Sequence, residues 1–335
     1  MKYSYNKPII ASYTEIAAML CVIQNNSYST MMWQYELYSN LCWEMQSNVL
    51  YHCGKYDHYS YMEFEDENRI ILYKLPKQAS CEELKEYMDK DFSILLPINT
   101  KILGITNSPY KHNVFIVGYE DENFFVYDFW SPSFVWKCKS INCNELFLSI
   151  DFTNSETVQS FYLFKENTQF YSKMDEDMNV NIKSLHSTLL VNLNKEKNKN
   201  YNYKNAVYGL DVYSTLCNYM DSINTFNLVD CQNFHVLLDH LSFNKYCFQV
   251  LLKNNLYIQN LLKIYDDLID KIVKIRTYAY KYYVSKRDIS KIRNMIIEHL
   301  QYICENERNI SHKLLDIVND NLNSSIINMG KNIQF

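Results

Sequence analysis

His112 and Asp128 are the two residues whose types and placing come nearest to a catalytic device in this sequence. They bracket the segment KHNVFIVGYEDENFFVYDFWSP, which reads as a β-hairpin: an apolar strand, a turn over Glu120 to Asn123, and a second apolar strand ending on Asp128. In an antiparallel pair the start of one strand and the end of the next lie at the same end of the ladder, so the imidazole and the carboxylate come within hydrogen-bonding reach. A carboxylate on one ring nitrogen fixes the tautomer and leaves the other nitrogen to take a proton from a thiol or hydroxyl, which makes the pair a general base with its orienter. The plainer alternative is a strand-end histidine and a turn-forming aspartate on the surface.

The elements that must position this pair are predicted by periodicity. Ile16, Ala17, Leu20 and Ile23 share one face of a helix over residues 14–24, and a second helix is expected over residues 30–48. Beyond Gly54 come six short apolar runs, at 69–75, 93–97, 114–119, 124–129, 134–139 and 161–165, each the length of a strand. The intervening SCEELKEYM carries a capping box from Ser80 to Glu83, and SINCNELFL has Asn142 or Asn144 as a helix cap. The expectation is an α+β domain over residues 1–166, with helices ahead of an antiparallel sheet. Residues 167–204, which include NLNKEKNKNYNYKN, are too polar to pack and read as a linker. Residues 205–335 read as an all-α extension, where Leu261, Tyr265, Leu268, Ile272, Ile275 and Ala279 form the apolar stripe of a long antiparallel helix.

Composition removes several classes of function. The chain has 335 residues, long enough for two cores, and 47% hydrophobic residues with which to build them. A net charge of −5 and the lack of a basic, aromatic-interleaved stripe argue against nucleic acid as the partner. Five glycines, at 54, 104, 118, 209 and 330, allow neither a phosphate-cradling loop nor a dinucleotide fingerprint. Glu15 interrupts the first apolar run, which excludes a signal peptide, and no apolar stretch reaches the roughly 18 residues of a membrane span. A cytoplasmic protein with its 10 cysteines reduced is expected. No CxxC pair occurs, so no metal site is expected. His235 and His240 lie five apart, about 140° around a helix, and read as ordinary helix residues.

The order of residues in the hairpin carries one further signal. A histidine at a strand start, an apolar run to Gly118 and Tyr119, then Asp121, then a second strand ending on Asp128, resembles the papain-like peptidases that cut double-glycine leader peptides. Within that clan the front half, residues 8 to 165, is most similar to the butirosin biosynthesis protein H-like family, in which a papain-like domain precedes a helical one. The resemblance implies acyl transfer: an acyl group passes from the phosphopantetheine arm of a carrier protein to a nucleophile and then to an amine, forming an amide. No metal or organic cofactor is implied.

Relatives place a cysteine at the N-terminus of the first helix, where the helix dipole and unsatisfied N–H groups lower a thiol pKa and can form an oxyanion hole. Here that stretch holds Ser12, Tyr13 and Thr14. Ser12 is therefore one candidate nucleophile, although as the first residue of SYTE it also makes a good N-cap, with Glu15 completing a capping box. Cys21, two turns further on, and Cys42, in NLCWEM and expected inside the second helix, are the alternatives. Asn6 is the candidate oxyanion donor. With no competent nucleophile the same cleft would belong to a catalytically inactive homologue that binds a thioester, peptide or carrier protein.

Overall fold

The computed structural model describes residues 8, 10, 13–23, 28–53, 70–75, 80–105, 111–130, 135–150, 161–166, 178–194, 205–252 and 258–331. In chain order the elements are α1 (Thr14–Val22), α2 (Tyr28–Tyr38), β1 (Asn40–Glu44), β2 (Val49–Cys53), β3 (Ile70–Leu75), α3 (Cys81–Met88), β4 (Ser93–Asn99), β5 (Lys111–Glu120) and β6 (Asn123–Trp130). They continue with β7 (Val135–Asn142), α4 (Cys143–Ser149), β8 (Phe161–Glu166), α5 (Met178–Asn192), β9 (Ala206–Tyr208), α6 (Val212–Ser222), α7 (Leu228–Leu251), α8 (Ile258–Ser285) and α9 (Ser290–Lys331). The chain is mixed α+β, with helices, then an antiparallel sheet, then helices. Among the described residues no helix is long and apolar enough to cross a membrane.

Two compact units divide the chain, one made of Met1–Asn25 with Ser60–Met174, the other of Asn26–Tyr59 with Asp175–Phe335. This differs from a single cut near residue 166, because residues 26–59 belong with the C-terminal part.

The first unit is a six-stranded antiparallel sheet in the order β3-β8-β4-β5-β6-β7. All six apolar runs of the sequence are its strands. One face carries a core in which Ile94, Leu96, Ile98, Val114, Ile116, Val126 and Trp130 pack against Leu84 and Met88 of α3 and Leu146 of α4. Both helices start where their caps dictate. Ser80 Oγ accepts from the Glu83 N–H while Glu83 returns a bond to the Ser80 N–H, and Asn142 Oδ1 accepts from the Asn144 N–H. Helix α1 packs against β4, β5 and β8, and none of its residues belongs to that core. The opposite face of the sheet is equally apolar: Phe115 and Phe164, both fully buried, stack with ring centroids 5.6 Å apart.

The second unit holds a small antiparallel sheet, β2-β1-β9, with helices α2 and α5 to α9. The stripe from Leu261 to Ala279 is buried along α8, as its spacing requires. Two expectations fail here. Residues 30–48 are not one helix: α2 ends at Tyr38 and the chain forms the β1–β2 hairpin, turning at Asn48 in the left-handed conformation (φ 55°). The polar stretch 167–204 is not linker throughout, because it contains α5, which buries Leu185 and Leu189 four residues apart, with Leu193 just beyond its end. At Gly209 (φ 61°) a Cβ would stand 2.5 Å from the Asn192 carbonyl oxygen, so only glycine lets the chain after β9 pass the end of α5.

Candidate functional site

Strand pairing positions the histidine and the aspartate. On β4 and β5, Ile98 lies opposite His112, so the imidazole leaves the sheet on the same face as the Ile98 side chain. Between β5 and β6, Phe115 lies opposite Tyr127 and Ile116 opposite Val126, with the register shifting only beyond, between Ile116 and Gly118. Continued toward the open end, this register sets Asp128 opposite Val114 and diagonal to His112 on one face. A diagonal pair lies about 7–8 Å apart at Cα, within reach of a histidine and an aspartate side chain. His112 Nε2 is 2.9 Å from Asp128 Oδ1.

Burial separates the two roles. The Asp128 side chain is fully buried, while that of His112 is 25% exposed. A carboxylate sealed under the sheet's core is costly unless it is hydrogen-bonded, and the imidazole N–H supplies a charge-assisted bond. With Nε2 committed to Asp128, Nδ1 becomes the nitrogen that would exchange a proton with a reacting group. Two residues on, Trp130 is fully buried beside this pair in sequence, donates its indole N–H to the Lys137 carbonyl at 2.8 Å, and carries Lys139 Nζ 4.1 Å above its ring.

The candidate nucleophiles fare differently. Ser12 and Asn6 lie outside the described residues. Helix α1 starts one residue later than the SYTE reading required: its N-cap is Tyr13, which makes no side-chain cap bond and whose carbonyl accepts the Ala17 N–H at 2.9 Å. Cys21 is buried, and desolvation pushes its thiol up to about 12, which leaves almost no thiolate near neutral pH. Burial, and then Cys138 and Cys21, raise the Tyr127 hydroxyl, and the Tyr127 side chain alternates with that of Asp128 and leaves β6 on the other face. Cys42 is not in a helix; it is a buried residue of β1 in the second unit.

A second polar cluster was not anticipated. In the second unit Glu307 of α9, fully buried, lies 2.6 Å from His240 Nε2 through Oε1 and accepts the Tyr213 hydroxyl at 2.7 Å through Oε2. His240 was read as an ordinary helix residue; instead it is fully buried, with the Asn244 amide nitrogen 3.3 Å from the same ring nitrogen and donating to the Ser39 carbonyl at 3.4 Å. Burial, and then the Glu307 charge, push the Tyr213 and Tyr265 hydroxyls well above their usual range. The signal for this cluster lies in α9 itself. Ile296, Leu300, Ile303, Ile310, Leu314 and Val318 form its buried stripe, and Glu307 occupies the stripe position between Ile303 and Ile310. A charged residue on an apolar seam must find a partner.

Compared with protein-family models and with curated proteins, the chain matches none.

Proposed function

We propose that the first unit is a papain-like acyl-transfer domain, with His112 as general base and Asp128 as its orienter. One observation carries this reading: a fully buried carboxylate holds Nε2 of an imidazole that still reaches the surface. That arrangement holds a tautomer in place without sealing the ring away from a substrate.

The chemistry is thioester-dependent amide formation. A hydroxyl or thiol at the head of α1, for which Ser12 remains the candidate, attacks the carbonyl of an acyl group carried on a phosphopantetheine arm. Its proton goes to His112 Nδ1, and the imidazolium returns a proton to the departing thiolate. An amine then attacks the acyl-enzyme and loses its proton to the same nitrogen, giving an amide and the restored nucleophile. No redox partner is needed, since each step exchanges one acyl bond for another. The partners are an acylated carrier protein and an amine acceptor.

The experiment is to incubate the protein with an acylated carrier protein and a panel of amines, following amide and free acid by mass spectrometry for wild type and His112→Ala. Turnover that disappears in the variant supports the reading. Equal rates in both proteins, or no turnover with any amine, would remove it.

A second reading has an observation of its own. Cys21 is a buried thiol with a strongly raised pKa, Cys42 lies in a strand of the other unit, and a serine lacks a thiol's acidity. A catalytically silent homologue that binds a carrier protein or acyl peptide fits this. Tight binding of the acylated carrier without turnover would select it.

A further inference from the structure

The far end of the β5–β6 hairpin gathers three metal-ligating side chains that are scattered in sequence. Cys81 Sγ, a Glu122 carboxylate oxygen and Cys143 Sγ all lie within 4.8 Å of one another. They come from three elements, each fixed by its own hydrogen bonds. Cys81 is the first residue of α3, set there by the Ser80–Glu83 capping box. Glu122 sits in the two-residue turn between β5 and β6, next to Asp121, whose backbone is left-handed (φ 52°). Its carbonyl accepts the Cys143 N–H at 2.7 Å and the Asn142 amide at 3.4 Å, which ties the turn to the start of α4, where Cys143 is the first residue. From these positions we infer that the Cys81, Glu122 and Cys143 cluster is a binding site for a thiophilic divalent cation of the zinc class, with water or another donor in the fourth place.

Geometry and charge both bear on this. A tetrahedral ion with Zn–S bonds of about 2.3 Å sets two thiolates about 3.8 Å apart, so ligands within 4.8 Å of each other need to close by no more than about an ångström. Two thiolates, one carboxylate and a dication sum to a formal charge of −1. The Lys85 ammonium, already 3.3 Å from Glu122 Oε1 and 3.4 Å from Glu82 Oε1, is placed to balance it. Cys143 is buried and Cys81 half-buried, while Glu122 is exposed, so the site is dry at its base and open to solvent at its mouth. Without an ion, burial, then the hydrogen bond to Cys81 and the Cys81 charge, push the Cys143 thiol up to about 12, so ligation by Cys143 must release its proton.

The role of this ion is structural. Eight residue steps run from His112 to Glu120 along β5, about 26 Å at the rise of an extended chain, so an ion at Glu122 cannot reach a substrate held at His112. What it can do is fasten α3, the hairpin turn and α4 together over the core that those helices cover. This assignment stands on its own ligands and does not rest on the acyl-transfer reading.

The test is a titration of the reduced, full-length protein with Co(II), which reports thiolate ligation by charge-transfer absorption in the near ultraviolet and tetrahedral geometry by visible d–d bands. One equivalent should bind with both signatures, Zn(II) should displace it, and the affinity should rise with pH because protons are released. Cys81→Ser and Cys143→Ser should each lose most of the charge-transfer band, and Glu122→Gln should weaken binding without abolishing that band. Circular dichroism of each variant confirms that the fold is kept. Two results would overturn the assignment: no charge-transfer band at one equivalent, or the same band in the Cys81→Ser/Cys143→Ser double variant, which would place the ion on other cysteines.

Discussion

The His112–Asp128 pair and the His240–Glu307 pair are made from the same contact, a histidine Nε2 against a carboxylate oxygen, yet one lies in each compact unit and their surroundings are opposite. In the first, the aspartate is sealed and the histidine is a quarter exposed; in the second, both side chains are fully buried and a tyrosine hydroxyl takes the remaining carboxylate oxygen. A hydrogen bond of this kind is thus no evidence of catalysis. Partial exposure leaves an imidazole open to a reacting group, as the proposed function of His112 requires, and enclosure turns the same contact into a polar fastening between helices.

Substitution separates the two pairs most strongly through activity. Under the proposed acyl-transfer reading, His112→Gln keeps an N–H for Asp128 while removing the general base, so amide formation should fall about 10²- to 10⁴-fold with an unchanged circular dichroism spectrum. A variant that keeps its rate would erase the difference between the pairs. Next comes Glu307→Ala, which strands a buried histidine and tyrosine without their acceptor and should cost about 3–5 kcal/mol in denaturant unfolding. Replacing all three polar residues together, His240→Leu, Glu307→Leu and Tyr213→Phe, should recover most of that loss, because the network is a fastening and not a site. Failure to recover would show that the polar cluster has a role beyond packing.

The pH dependence of stability gives a smaller effect and acts on the sealed side. His52, fully buried in β2, has its pKa pushed down to about 3, first by desolvation and then by the His240 charge, against the opposing effect of its hydrogen bond to the Tyr38 backbone. It stays neutral in the folded protein while the unfolded chain takes up a proton near pH 6.5. The stability it contributes is therefore complete above pH 6.5 and is lost as pH falls toward 3, at up to about 1.4 kcal/mol per pH unit. Urea midpoints at pH 7 and pH 4.5 should converge in His52→Leu relative to wild type. Smallest of all, Ser80→Ala removes one helix cap from the first unit and should cost about 1 kcal/mol, measured in the same urea series.

What was legible in the sequence follows from the range of the interactions involved. The six strands of the first unit, the Ser80–Glu83 box and the turn after β5 are decided by neighbours in the chain, and each was readable as such. The His112–Asp128 contact was readable because one hairpin brings its members together. The β1–β2 hairpin was not, because its decisive contact is remote: Asn233 of α7 accepts the Leu50 N–H at 2.9 Å and donates to the Asn48 carbonyl at 2.9 Å. Local periodicity sees only NLCWEMQSNVLYHC and continues the helix. Glu307 met His240 across 67 residues, and Cys81 met Cys143 through a turn that belongs to neither, so no short motif announced either cluster.

The Asn233 clamp also has a consequence for synthesis. The hairpin it holds is 183 residues upstream, and the whole of the first unit's sheet is translated in between. At about 5–20 residues per second, residues 40–53 leave the ribosome on the order of 10–40 s before the asparagine that fastens them exists. During that interval the two strands have only each other and α2 as native partners in their own unit, β9 is still missing from the edge of β1, and Tyr219, against whose ring Trp43 packs, does not yet exist. Meanwhile the first unit, apart from residues 1–25, can assemble from one continuous stretch of chain. The order of emergence thus completes the sheet unit ahead of the helical one.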